Sequence, residues 1–194
     1  MCMVIYFIAF IGCKNSSVNE QKIIFSTNNC DCVSDTILKN GTKIKYRFSE
    51  KDRLCYLEII TNRGVKSKRD SFYYDTNDCR MVPKLLYSTQ NTIFFLSGTG
   101  SYYRVLYRYE YDTTTITKDV TQFDICESEP SNSSDYYPFK KNNTLSVLII
   151  DAFHNVKNLD TKKVLWENKI KCISILKNKL IITTDVNEII NIDL

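Results

Sequence analysis

The chain has 194 residues and a formal net charge of +4, from 26 basic and 22 acidic side chains. This small positive excess argues against a nucleic-acid partner, whose binding needs many cationic contacts to phosphate. The hydrophobic share of 43% and the low glycine and proline content argue against a disordered chain. The length suffices for one domain with a sizeable core, and the many aromatic and β-branched residues favour strands.

The chain begins with an uncharged apolar run at residues 3–11, followed by the small Gly12, by Cys13 and by a polar segment from Lys14 onward. An apolar run that ends on a small residue is typical of a secretory signal sequence and its cleavage point. The run is too short to span a bilayer, which requires about 20 apolar residues. The sequence therefore predicts an exported protein.

Residues 1–13 resemble the lipobox region of bacterial lipoproteins, in which the cysteine receives a diacylglycerol and becomes the new N-terminus. Two features depart from that family: Phe10 stands where leucine is usual, and no basic residue precedes Lys14. The resemblance implies a signal peptide at 1–12, a lipidated Cys13 with a polar tether over 13–21, and a membrane-anchored location in the cell envelope, periplasmic or on the cell surface. A soluble secreted protein, or a cytosolic protein in which residues 4–11 form a core strand, are the alternatives.

Six cysteines follow Cys13 and are candidates for disulfides: Cys30, Cys32, Cys55, Cys79, Cys126 and Cys172. An even number in an exported protein permits disulfide pairing throughout, but the sequence does not select among the fifteen possible connectivities. Cys30 and Cys32 lie on one face of an extended segment, so we expect them to bond different partners or to stay reduced. We expect no zinc site, because neither a histidine nor a second close cysteine pair lies nearby.

Strand-like runs dominate the chain after residue 21, and no window shows a capped helical period. Strands are predicted at residues 22–26, 43–48, 55–61, 71–74, 84–87, 92–97, 103–111, 116–120, 145–151, 156–159, 164–167, 170–176, 179–184 and 188–192. Residues 127–143 contain two prolines and several serines, which predicts a surface insertion. The expected architecture is a single all-β domain over residues 22–194.

Three runs close on an apolar residue, Asp and Thr, and a fourth closes on Ile192-Asp193: Tyr74-Asp75-Thr76, Tyr111-Asp112-Thr113 and Leu159-Asp160-Thr161. The aspartates are 37, 48 and 33 residues apart, and residues 147–160 align with 180–193 without a gap. Asp and Thr side chains can bond the backbone two residues on, so each motif predicts a turn that ends a strand. A period near 40 with several strands per unit is typical of propeller blades.

Residues 159–167 also resemble the blade motif of pyrroloquinoline-quinone-type and WD-type propellers, where an Asp, a short Thr-containing turn and a Trp-bearing strand recur. This segment departs from that pattern because Lys162 and Lys163 stand where the family has a turn glycine, and because the chain has one tryptophan. The resemblance implies a propeller-like array of about four antiparallel blades, with residues 22–26 closing the ring; a β-sandwich is the alternative. It implies architecture and no cofactor site.

The sequence contains no catalytic signature. His154 is the only histidine, and neither a Gly-x-Ser-x-Gly elbow nor a signature cysteine accompanies it, so we predict no catalytic, cofactor or metal site and expect His154 in a strand or turn at the surface. A hydrolase of envelope polysaccharide or peptide remains an alternative, because a catalytic carboxylate pair is defined by its spatial separation.

The candidate binding surface combines basic and aromatic residues: Tyr46, Arg47, Arg53, Tyr103, Tyr107 and Tyr109. Alternating tyrosines fall on one face of a strand, where they either form core or, if exposed, suit contact with carbohydrate or protein. The leading hypothesis is a non-enzymatic, membrane-anchored protein that binds a protein or glycan partner. A structural subunit of an envelope complex is a further alternative.

Overall fold

The structure is a computed structural model that describes residues 33–61, 67–74, 79–98, 103–111, 115–128, 134–141, 144–164, 169–176 and 179–194. These residues form fourteen strands in three sheets, and no helix occurs among them, which confirms the predicted all-β class. No helix in the same ranges is long and apolar enough to cross a membrane. The apolar run at 1–13, the predicted strand at 22–26, Cys30 and Cys32 lie outside the described residues.

The first sheet has four antiparallel strands in sequence order: β1 (Thr36–Ile37), β2 (Lys43–Ser49), β3 (Leu54–Ile60) and β4 (Lys68–Tyr73). Apolar and polar residues alternate along β2 and β3, so that Ile44 and Tyr46 on β2 are buried together with Cys55, Leu57 and Ile59 on β3. One face of this sheet therefore forms core.

The chain continues with a second antiparallel meander: β5 (Lys84–Ser88), β6 (Thr92–Ser97), β7 (Tyr103–Tyr111) and β8 (Ile116–Ser128). A three-stranded sheet follows, in which β10 (Thr144–Ile150) pairs with both β9 (Asp135–Lys141) and β11 (Val156–Val164). The last strands are β12 (Ile170–Leu176), β13 (Lys179–Thr184) and β14 (Ile189–Asp193). Because β12 pairs with β8 in parallel, the second meander and the last three strands form one seven-stranded sheet in the order β14-β13-β12-β8-β7-β6-β5.

Two hydrophobic cores lie on opposite faces of β6 and β7. Ile93 and Phe95 contribute to the first core, against the four-stranded sheet, whereas Phe94 belongs to the second core, against the three-stranded sheet. Four successive residues are buried in β9, Tyr136–Phe139, and four in β10, Leu145–Leu148. Since successive side chains in a strand point to opposite faces, both faces of the three-stranded sheet are buried, and the second core also includes residues of β12, β13 and β14.

A disulfide between Cys126 and Cys172 joins the parallel pair β8 and β12, with 5.7 Å between the two Cα atoms. It lies beside a register shift in the β8–β12 ladder. The disulfide expectation is thus confirmed for this pair. Cys55 and Cys79 are both buried in the first core.

The prediction of a surface insertion at residues 127–143 is wrong. Strand β8 runs on to Ser128, and β9 places Tyr136, Tyr137 and Phe139 in the second core. Pro138, which suggested a loop, is compatible with this strand because β9 lies at the edge of its sheet, where an N–H is not needed for a second ladder.

The predicted turn at residues 159–161 is also wrong. Strand β11 continues to Val164, and its register shifts so that Ser146 faces Asp160 while Thr144 faces Val164, which is a bulge rather than a reversal. The Asp160 carboxylate accepts a hydrogen bond of 2.6 Å from the Ser146 hydroxyl on the neighbouring strand, instead of ending its own strand. The corresponding residues Asp75 and Asp112 lie outside the described residues, and the part of the chain that is described contains no closed ring of blades.

Candidate ligand-binding cleft

The tyrosines of the predicted binding surface are mostly buried. Tyr46, Tyr107 and Tyr109 are buried in the first core, because the alternation along β2 and β7 directs them between the two sheets. The Tyr46 hydroxyl donates a hydrogen bond of 2.8 Å to the backbone oxygen of Pro83. Tyr103 is half-buried against the same core. The alternative that these tyrosines form core is therefore correct.

The two arginines of the predicted surface are exposed but lie in different surroundings. Arg47 forms an ion pair with Asp35 at 3.1 Å, and Arg53 lies in the turn between β2 and β3 with a φ of 51°. The pKa of Asp35 is lowered, first by the hydrogen bond from the Tyr46 backbone N–H and further by Arg47. The six predicted residues thus do not form one binding surface.

His154 lies in the exposed turn between β10 and β11, as expected, with a φ of 62°. The turn is organised by Asp151, whose carboxylate accepts hydrogen bonds from the backbone N–H groups of Phe153 and Asn155. These bonds and the Asn155 side-chain amide lower the pKa of Asp151, with the side-chain bond as the largest cause. Among the described residues, no group of three or more His, Cys, Asp or Glu side chains is placed to hold a metal ion.

The structure contains a cleft between strands β5–β7 and the three-stranded sheet. Its volume is about 260 Å³, and it is partly open to solvent. We call it the Arg108 cleft. It is lined by Tyr87, Thr89, Thr92, Phe94, Arg108, Glu110, Phe139, Lys141, Leu148, Val156 and Asn158.

One wall of the Arg108 cleft is aromatic and aliphatic. The rings of Tyr87 and Phe94 are stacked with centroids 6.3 Å apart, and Phe139 meets Phe94 edge-on at 5.2 Å. Leu148 and Val156 extend this wall along β10 and β11. The remaining lining residues are polar, so the cleft is more polar than a usual small-molecule site.

Arg108 is the buried charged residue of the cleft, with 8% of its side chain exposed. Its guanidinium pairs with Asp119, its cross-strand neighbour on β8, and with Glu110 at 3.5 Å, and it lies 5.5 Å from the centroid of the Phe139 ring. Among the described residues, none accepts a hydrogen bond from Arg108 Nε. A buried donor without an acceptor costs about 1–3 kcal/mol, so its presence in a folded protein calls for a specific explanation.

The rim of the cleft is polar. Lys141 Nζ lies 3.9 Å from Asp160, next to Asn158 on β11, while Thr89 and Thr92 border the opposite side. No motif in the sequence indicates this site, because Arg108 lies between Tyr107 and Tyr109 in a strand whose tyrosines are the more prominent signal. Alternation does separate Arg108 from the tyrosines, but both faces of β7 are buried, so the pattern alone does not identify a ligand-binding face.

No protein-family model matches this sequence, and no curated protein is similar to it. The geometry of the Arg108 cleft is therefore the basis on which a function is inferred.

Proposed function

We propose that this chain is a non-enzymatic binding protein of the cell envelope, anchored through a lipid on Cys13, and that the Arg108 cleft holds part of its glycan or protein partner. The observation that carries the binding function is Arg108 itself, a buried guanidinium that lines an open cleft while one of its N–H donors has no acceptor among the described residues. Because Nε itself is buried, a ligand oxygen supplies that acceptor when the Arg108 side chain shifts towards the cleft.

Export is supported by two independent features. The sequence at residues 1–13 resembles a lipobox, and the Cys126–Cys172 disulfide fits an oxidising compartment such as the periplasm or the cell surface. A lipid with more than one acyl chain on Cys13 would also hold the protein stably at a membrane, which a single chain does not.

Binding is favoured over hydrolysis by the carboxylates of the site. Glycoside hydrolysis needs two carboxyl groups on either side of the scissile bond. Among the described residues that line the cleft, Glu110 is the only acidic one, and it is paired with Arg108. This lining suits recognition better than acid–base catalysis.

The same proposal includes a propeller-like arrangement of four successive units, β1–β4, β5–β8, β9–β11 and β12–β14. Each antiparallel unit shares a core with the next in sequence, as neighbouring blades do. The ladder between β8 and β12 departs from that scheme, because hydrogen bonds between blades are not a feature of propellers. An experimental structure that includes residues 22–32 tests whether they complete the unit β12–β14.

The anchor is tested with Cys13→Ser, with Cys2→Ser as the matched control within the same leader. We expect intact-mass analysis of the wild type and the control to show a mature chain that begins at a diacylated Cys13 and fractionates with membranes. The Cys13→Ser protein should lose both the lipid mass and the membrane association. An unprocessed soluble wild-type chain that begins at Met1 would overturn the export proposal.

The cleft is tested by amide NMR spectra of the full-length protein in detergent micelles with three probes: neutral methyl glycosides, methyl glycuronides and a blocked tetra-alanine peptide. We expect at least one probe to shift amide signals of β7, β10 and β11. Asn158→Ala should weaken that response, while Asn191→Ala, an exposed change on β14, should not. If no probe shifts these signals at millimolar concentration, the cleft is not a binding site.

A further inference from the structure

We infer that the ligand of the Arg108 cleft is a neutral, hydroxyl-rich ring, namely a single sugar unit or the end of a glycan, rather than an anion. This inference rests on the proposed binding function of the cleft. Three properties of the described residues point to it: the balance of charge, the types of hydrogen-bonding groups, and the volume of the cleft.

The positive charges of the cleft are already compensated. Arg108 is paired with both Asp119 and Glu110, and Lys141 lies 3.9 Å from Asp160. An anion that entered would gain attraction from the two cations but would meet repulsion from the three carboxylates beside them. Anion sites usually present uncompensated cations or backbone N–H groups. The charges around the Arg108 cleft therefore do not favour the binding of an anion.

The polar groups of the cleft match a hydroxyl group. A hydroxyl both donates and accepts, while a deprotonated acid only accepts. Glu110 presents carboxylate oxygens that need donors, Arg108 Nε needs an acceptor, and the Asn158 amide can do both. Two adjacent hydroxyls of one sugar ring can satisfy Glu110 and Arg108 together, which a carboxylate cannot do because it has no donor.

The size of the cleft limits the ligand to a small ring. Phe94, Phe139 and Leu148 are 4%, 2% and 1% exposed, so they offer little surface on which a ligand could stack, and the polar groups of the cleft make most of the contacts. The volume of about 260 Å³ lies below the range of roughly 300–1,000 Å³ for drug-sized ligands, so the cleft accommodates about one ring.

The test compares matched neutral and anionic sugars on the full-length protein. The neutral probes are the methyl glycosides of glucose, galactose, mannose and N-acetylglucosamine, and the anionic probes are the methyl glycuronides of the first three. Glu110→Gln distinguishes the two classes because it removes one negative charge and the stronger acceptor. Glu50→Gln, in the exposed segment that follows β2, is the matched control.

With the wild type, we expect a neutral glycoside to bind at least fivefold more tightly than the glycuronide of the same sugar. Glu110→Gln should weaken the neutral glycoside at least fivefold and strengthen the glycuronide, whereas Glu50→Gln should change neither affinity by more than twofold. Raising the salt concentration from 50 to 300 mM should leave the neutral affinity unchanged, because charge screening does not act on a neutral ligand.

Two different failures are distinguishable. If a glycuronide or the tetra-alanine peptide shifts the cleft signals and no neutral glycoside does, the sugar inference is wrong while the cleft remains a binding site. If no probe shifts them, both the inference and the proposed binding function are overturned. Because Glu110 is 47% exposed, the Glu110→Gln protein should fold, and an unchanged spectrum outside the cleft verifies this.

Discussion

Strand β7 presents two different kinds of polar chemistry on its two faces. On one face Tyr107 and Tyr109 enter the first core, and on the other Arg108 enters the second. In the first interface the Tyr109 hydroxyl, Asp70 and Lys118 are bonded to one another and hold two sheets together, while the buried hydroxyl of Thr61, directly after β3, has no hydrogen-bond partner among the described residues. The Arg108 side chain of the second interface retains a donor that no described residue satisfies, next to an open cleft. Neither burial nor an unmet hydrogen bond alone identifies a functional polar residue; Arg108 stands out because its unmet donor belongs to a side chain that also lines an open cleft.

The first interface contains a closed network. The Tyr109 hydroxyl donates a hydrogen bond of 2.6 Å to Asp70 on β4, and Lys118 Nζ lies 3.4 Å from the same carboxylate. The Lys118 ammonium also lies over the rings of Phe72 and Tyr107, at 5.2 and 5.4 Å from their centroids. Such a cation surrounded by aromatic rings and a carboxylate is well compensated. This network links β4 of the four-stranded sheet to β7 and β8 and stabilises the contact between the two sheets.

We expect removal of the Cys126–Cys172 disulfide to destabilise the second core more than the first. For the double variant Cys126→Ala/Cys172→Ala we expect a loss of about 4 kcal/mol in the free energy of unfolding, the chain-entropy value for a sequence separation of 46. Urea denaturation measures the loss, and hydrogen exchange should show that β12–β14 lose protection while β2–β4 keep it.

The half-buried Ser174, two residues from Cys172 on β12, provides the control. Ser174→Ala should change the free energy of unfolding by less than 1 kcal/mol, because it removes neither a cross-link nor a large apolar group. An equal loss of protection in β2–β4 and β12–β14 would contradict the separation of the two cores, since it would mean that both interfaces open together.

Tyr109→Phe tests the first interface. Removing this hydroxyl takes away one of two partners of the Asp70 carboxylate and leaves Lys118 as the other, so we expect a loss of about 2 kcal/mol in the free energy of unfolding, the value of a hydrogen bond to a charged group. Tyr73→Phe is the control, because Tyr73 is 57% exposed and its hydroxyl lies 3.5 Å from Arg53; its change should be below 0.5 kcal/mol. Similar losses in the two variants would mean that the Asp70 network contributes little.

The same variant should alter the alkaline limb of stability. The pKa of Tyr109 is raised, first by burial and then by the hydrogen bond to Asp70, while an unfolded tyrosine has a pKa of about 10. The neutral phenol therefore stabilises the fold fully below pH 10, and this contribution is lost as the pH rises towards the folded pKa. Tyr109→Phe should make the decline above pH 10 shallower by about 1.4 kcal/mol per pH unit.

The local pattern of the sequence predicted most strands, because alternation and turn residues are local signals. The predicted ranges 92–97, 103–111, 170–176 and 179–184 coincide with β6, β7, β12 and β13. The pairing of β8 with β12 cannot be predicted from local sequence patterns. It joins residues about 46 positions apart, and the three-stranded sheet lies between them in the chain. Loop-forming composition hid β9, since Pro138 is permitted at a sheet edge that the sequence does not identify.

Side-chain chemistry was harder to predict than strands. Asp160 has the composition of a turn, but its carboxylate finds Ser146 on a neighbouring strand, which is a non-local partner. For the tyrosines of β7, the sequence predicts a place in the core as one of two alternatives, and this alternative is correct for Tyr107 and Tyr109. The candidate cleft lies on the opposite face of the same strand. Arg108 escaped prediction because a strand buried on both faces gives no periodic signal that separates a core face from a ligand face.

Arg108→Met is the counterpart of Tyr109→Phe on the opposite face of β7, and we expect it to change the free energy of unfolding by less than about 1 kcal/mol. Removing one partner of a fully buried ion pair is costly, because it leaves the other charge buried and unpaired, but here only Arg108 is buried, and the change also removes an unsatisfied N–H. Its partners Glu110 and Asp119 are 47% and 52% exposed, so water can solvate them once the cation is gone.

The Arg108→Met variant should abolish ligand binding in the cleft, whereas Arg104→Met, on the same face of β7 but outside the lining, should preserve it. A loss of 3 kcal/mol or more with Arg108→Met would instead make Arg108 a structural residue, and the contrast between the two faces of β7 would then be wrong. Arg108→Met is a larger chemical change than Tyr109→Phe. If it nevertheless lowers the free energy of unfolding less, Arg108 serves ligand binding, whereas Tyr109 serves the stability of the fold.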